Sequence, residues 1–115
     1  MSVNTNKNRG SNWERDVVNY LKGRGWDAAT SRYVSRLLDD QGVDIAGDYP
    51  MKIQCKATVK QPNVHELLET TAADVVFFRK MQKKGNRFFN VGEYALLDLD
   101  TFMDLIDSVY KKGKK

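Results

Sequence analysis

A chain of 115 residues with 41% hydrophobic and 30% charged content has room for one packed core and not for two. That balance excludes a disordered or fibrous protein, and no apolar run nears the roughly 20 residues a membrane helix needs. A formal net charge of +4 suits a phosphate-rich partner, because each Lys or Arg docked on a phosphate releases condensed counterions.

Residues 1–10 are polar and basic and are expected to form a flexible arm with no export signal. The lone Cys55 has no partner for an internal disulfide, so the expected compartment is a reducing cytoplasm, host or phage-encoded. Ser11 is expected to open the first helix. Trp13, Val17, Tyr20 and Leu21 recur at helical spacing, and Gly23 and Gly25 end the run. Trp26 to Thr30 reads as a short strand, and Arg32 to Gln41 as a polar link with a helical turn around Val34 to Leu38. Val43 to Ala46 reads as a strand, Gly47 to Pro50 as a turn, and Met51 to Thr58 as a second strand. In that second strand Met51, Ile53, Cys55 and Ala57 alternate with Lys52, Gln54, Lys56 and Thr58.

Pro62 and Asn63 start another helix with Val64, Leu67, Leu68 and Thr71 as its apolar stripe. Val75 to Phe78 is a strand, Lys83 to Asn86 a turn, and Arg87 to Val91 and Tyr94 to Leu97 are further strands. A last helix begins near Asp100, where Phe102, Leu105, Ile106 and Val109 repeat at helical spacing. Trp13, Phe77 and Phe102 are expected in the core. This order predicts an α/β fold, with a mixed central sheet flanked by helices. The expected organisation is the arm 1–10, a single domain 11–110 and a basic tail 111–115.

Asp44, Gln54 and Lys56 form the constellation with chemistry in it. Phosphodiester hydrolysis needs a hard cation to hold the scissile phosphate and acidify a water, and hard cations take oxygen ligands. Asp44 offers a carboxylate, Gln54 an amide oxygen and residue 55 a backbone carbonyl. Lys56 projects from the same strand face as Gln54 and can stabilise a pentacovalent phosphate. A hairpin would bring Asp44 opposite Gln54, with Asp48, Tyr49 and Pro50 in its turn. The same residue types also suit a solvated strand. Glu14 has two readings as well: a further carboxylate for the cation, or the N3 member of a capping box begun by Ser11.

The segment Arg9 to Val18, with its Glu14-Arg15 pair, resembles the opening helix of archaeal and phage Holliday-junction resolvases. Gly42-Val43-Asp44-Ile45 followed by Ile53-Gln54-Cys55-Lys56 resembles the core motif of the PD-(D/E)XK nucleases to which they belong. The likeness spans residues 9 to 109. It implies a restriction-endonuclease-like fold and a magnesium-dependent endonuclease, manganese being an alternative metal. Glu14, Asp44, Gln54 and the Cys55 carbonyl would hold the metal, with Lys56 as catalytic lysine. It further implies a homodimer that nicks branched DNA in pairs, no membrane and no small-molecule substrate. Arg9, Arg15, Ser31, Arg32 and Lys60 are expected on the DNA side, Ser31 and Arg32 in a loop near the cleaved strand. Two positions depart from the motif: Val43 stands where proline is usual, and Gln54 where a carboxylate is usual. The second removes one negative charge and weakens the expected metal affinity. The rival functions are a nuclease of the same fold for other DNA structures and a DNA-binding module without catalysis.

Other residues take simpler roles. His65 is expected at the surface near a helix start, and Cys55 as a small buried apolar group. Lys80, Lys83, Lys84 and Arg87 cluster at one turn, either as a solvated tip or as an extension of a DNA-binding surface with Lys60, Lys7 and Arg9. Of the adjacent Phe88 and Phe89, the outward one would be a dimer contact.

Overall fold

The computed structural model describes residues 5–110, with residues 5–8 as backbone alone. The first four residues of the expected arm, the side chain of Lys7 and the basic tail 111–115 lie outside that description. The elements run α1 (Thr5–Gly23), β1 (Ala28–Thr30), α2 (Ser31–Val34), α3 (Arg36–Asp40), β2 (Ile45–Gly47) and β3 (Ile53–Thr58). After these come α4 (Val64–Thr70), β4 (Val75–Lys84), β5 (Arg87–Leu96) and α5 (Leu99–Val109). The fold is α/β, with a mixed sheet and helices around it, as the order of patterns predicted.

The sheet is not one central body. β1 and β2 form an antiparallel pair, while β3, β4 and β5 form a separate three-stranded sheet. β3 and β4 run parallel, joined by the α4 crossover, and β5 returns antiparallel to β4. The expected β2–β3 hairpin is therefore corrected. β2 takes β1 as its partner, in the register Thr30 with Ile45 and Ala28 with Gly47. One backbone bond joins the two sheets, from the Asp44 N–H to the Ile53 carbonyl at 2.8 Å.

Alternation in β3 holds as read: Ile53, Cys55 and Ala57 are buried, and Gln54, Lys56 and Thr58 take the other face. The buried face meets α1 through Trp13, Val17, Val18 and Leu21. The Trp13 indole N–H donates to the Phe77 carbonyl at 2.8 Å, which ties α1 to β4 by a bond worth about 1 kcal/mol. Phe77 packs against this core while partly exposed.

α1 begins at Thr5, so residues 5–10 are helix and not a loose arm. Ser11 lies inside the helix, and the expected capping box does not exist. Arg87 to Leu96 form one strand rather than two, with Val91 as the extra residue where Lys80 pairs with Gly92 and Met81 with Asn90. The turn is shorter than expected: Gly85 and Asn86 alone join β4 to β5, with Gly85 at φ 62°. Phe102 is not a core residue; it is 45% exposed, and α5 buries none of its side chains. The stripe of α4 is likewise only half-buried. No helix among the described residues is long and apolar enough to cross a membrane.

Candidate functional site

Two local devices deliver Asp44 to the edge of β3. The first is the end of α3. Gly42 adopts φ 78°, its N–H donates to the Asp39 carbonyl, and the Val43 N–H donates to the Leu38 carbonyl. This is a Schellman closure, which turns the chain sharply out of the helix. A Cβ at Gly42 would also stand 2.6 Å from the Thr71 methyl, so both the backbone angle and the space call for glycine. The second device is Ser31, which is 1% exposed. Its hydroxyl donates to the Val43 carbonyl and its N–H donates to the Asp44 carbonyl at 2.8 Å. Ser31 is thus a buried brace for the Asp44 backbone, and the expectation that it touches DNA is corrected.

The Asp44 side chain then closes on β3: its Oδ2 accepts the Cys55 N–H at 2.7 Å. Because N–H and C=O of one strand residue point to the same edge, the Cys55 carbonyl shares the edge that Asp44 faces. Burial lifts the Asp44 carboxyl above its ordinary value of 3.8, against the Cys55 N–H and the Lys56 charge, which lower it. Asp44 and Lys56 are therefore close enough to feel each other, as the motif required.

Glu14 joins them from α1. With the capping role gone, its carboxylate is free to face the site. Its Oε1 accepts from the Arg32 guanidinium at 2.9 Å, and the same guanidinium reaches Ser11 Oγ at 3.2 Å. Burial raises the Glu14 carboxyl above 4.5, the Asp44 charge raises it further, and Arg32 opposes both. Arg32 thus belongs to the Glu14 carboxylate rather than to a mobile loop.

Gln54 leaves β3 on the same face as Lys56. Its Oε1 is buried and has no hydrogen-bond partner among the described residues, a condition that costs roughly 1–3 kcal/mol. That orphaned oxygen, with two carboxylates of which Asp44 raises the affinity of Glu14 for positive charge, suits a divalent cation with oxygen ligands. No group of three or more His, Cys, Asp and Glu side chains gathers for a metal among the described residues. The donor set is accordingly two carboxylates with neutral oxygens, which fits magnesium or manganese and not a thiolate or imidazole metal.

The remaining expected residues scatter. Arg15 is exposed on α1 and donates to Asn12 Oδ1 at 2.8 Å. Lys60 is exposed after β3, and its carbonyl accepts the Thr58 hydroxyl. Arg9 stacks over the Phe88 ring at 3.9 Å, which places it beside the β4–β5 hairpin. His65 is exposed on α4. The Cys55 thiol is buried, and burial with the nearby Asp44 and Glu14 charges pushes it well up, so it stays a thiol. Of these features the sequence carried signals for Gly42, as a helix-ending glycine, and none for the Ser31 brace or the Arg32 pairing. No family model, curated protein or solved structure matches the chain.

Proposed function

We propose that this chain is a divalent-metal-dependent endodeoxyribonuclease of the PD-(D/E)XK type, with four-way DNA junctions as its substrate, cut by paired nicks from a homodimer. The observation that carries this reading is that Asp44, bonded to the Cys55 N–H, lies within electrostatic reach of both Glu14 and Lys56, with the orphaned Gln54 oxygen one residue before Cys55 on β3. Glu14, Asp44, Gln54 Oε1 and the Cys55 carbonyl would hold the cation. When bound, such a cation supplies Lewis-acid polarisation of the scissile phosphate and a more acidic water.

The chain's own residues do the rest. Asp44 is fixed by three hydrogen bonds that involve Ser31, Ile53 and Cys55, so its carboxylate needs no reorganisation when substrate arrives. Lys56, half-buried on the face of β3 opposite α1, would neutralise charge that builds on the non-bridging oxygens and orient the attacking water. Arg32 keeps Glu14 in place and limits the negative potential near an incoming backbone. The homodimer is supported by the exposed apolar face of α5, which carries Phe102, Met103, Leu105 and Val109.

A labelled four-way junction and a linear duplex, each with magnesium, manganese or EDTA, test the reading. Symmetric metal-dependent cuts on the junction alone are expected. Cuts on every substrate would assign a general nuclease of this fold, and tight binding without cuts in either metal would assign a DNA-binding module. Lys56→Ala should lower cleavage by roughly 100-fold or more, the scale for a lost charge-stabilising group, with DNA binding retained. Unchanged cleavage by that variant would remove Lys56 from the chemistry.

A further inference from the structure

From Arg79 to Gly92 the chain has no acidic residue and carries Arg79, Lys80, Lys83, Lys84 and Arg87. The fold turns this stretch into a two-stranded ribbon, with Lys84 opposite Arg87 and Gln82 opposite Phe89. Its two faces differ. On one, Met81 is buried in the core, and Phe88 lies under the Arg9 guanidinium of α1. On the other, Gln82, Lys84, Arg87 and Phe89 are all exposed. Lys84 and Arg87 take part in no ion pair among the described residues, so their charge is available to a ligand.

The exposed face has a fixed relation to the candidate site. β3 and β4 pair Lys56 with Phe78 and Thr58 with Lys80, so Lys56, Thr58, Lys80, Gln82 and Lys84 share one face by alternation. Lys80 is tied to the end of β3 through the Val59 carbonyl. Lys84 lies six residues along β4 from the partner of Lys56, about 20 Å at the usual strand rise. A DNA strand advances about 3.4 Å per base pair, so this span matches about six base pairs.

We propose that the β4–β5 ribbon is a second DNA contact, whose exposed face grips duplex backbone about six base pairs from the phosphate cut beside Lys56. The proposal rests on the nuclease reading. A two-stranded ribbon has the width to lie in a major groove, and Phe89, next to the Lys84–Arg87 pair on this face, gives it an apolar ridge with no carboxylate to repel phosphate. α5, by contrast, carries Asp100, Asp104 and Asp107 and no basic residue.

Binding of a four-way junction in EDTA, measured across 50 to 200 mM salt, tests this for the native chain and for Lys84→Ala/Arg87→Ala. Two lost phosphate contacts should flatten the log–log salt slope by about 1.8, so the native affinity falls about twelvefold more than the variant's across that range. Lys84→Arg/Arg87→Lys, which keeps the charge, should keep the native slope and shows that the change is not one of folding. If the native chain binds and the alanine variant has the same slope, the ribbon contact is overturned and the nuclease reading stands. If the native chain binds no DNA at any salt, both fall.

Discussion

Asp44 is anchored at its N–H and its carboxylate by β3, through Ile53 and Cys55, and at its carbonyl by Ser31. The carboxylate is nevertheless held where burial favours its neutral form. The sign of the linkage follows. A carboxyl raised in the folded state contributes stability that is full below its ordinary value of 3.8 and is lost as pH rises through the higher folded value. Glu14 adds the same dependence from 4.5 upward. In EDTA, the metal-free protein should therefore lose stability as pH climbs out of the acid range. Asp44→Asn should melt higher at neutral pH by about 4 °C, the equivalent of roughly 1 kcal/mol in a domain this size, and should no longer be stabilised by magnesium. Calorimetry at several pH values checks this; a variant that melts lower at neutral pH would mean that the Cys55 bond outweighs burial. The shared face of Gln54 and Lys56 was legible because strand alternation is local, whereas the route that brings Asp44 to β3 was not, because the expected hairpin is replaced by the β1–β2 pair. Ser31 and Arg32 were not, because a buried hydroxyl brace and a cross-helix ion pair depend on elements that meet only after folding.

At the scale of elements, the patterns were right about type and less so about ends and partners. α1 starts six residues before Ser11 because nothing from Thr5 to Gly10 forbids a helix. Gly10 costs it only about 1 kcal/mol, and the Arg9–Phe88 stack offers a distant contact in return. The capping box was a local explanation overruled by that contact. β2 abandoned the expected hairpin for β1, helped by the Asp27 N–H, which donates to Asp48 Oδ1 at 2.9 Å. For α5 the apolar period was correct, and Asp98 caps it with its side chain on the Thr101 N–H. Periodicity says which side is apolar but not what covers it. If that side meets a second copy, Phe102→Ser/Leu105→Ser should turn a dimer into a monomer in sedimentation without lowering helix content. A native chain that sediments as a monomer at tens of micromolar would remove the dimer from the proposal.

For the whole molecule, a net charge of +4 conceals its distribution. One exposed face of the basic ribbon is on the Lys56 side of the sheet, and the acidic α5 follows β5 in the chain, so charges of opposite sign are segregated in neighbouring segments. Around Asp44 the balance is different: Glu14, Asp44 and the nearby Asp39 bring three negative charges, and Arg32 and Lys56 bring two positive ones. A further carboxylate at position 54 would make the site more negative still and, on the nuclease reading, would oppose DNA until metal arrived. The Arg32–Glu14 pair, 2.9 Å long, together with a neutral Gln54, would lower that obstacle, and on the proposed reading nucleic acid would bind first and metal second. Gln54→Glu should reverse the order, with cleavage at a roughly tenfold lower magnesium concentration and weaker junction binding in EDTA. Equal binding by the two proteins in EDTA would show that the charge at position 54 does not govern which ligand enters first.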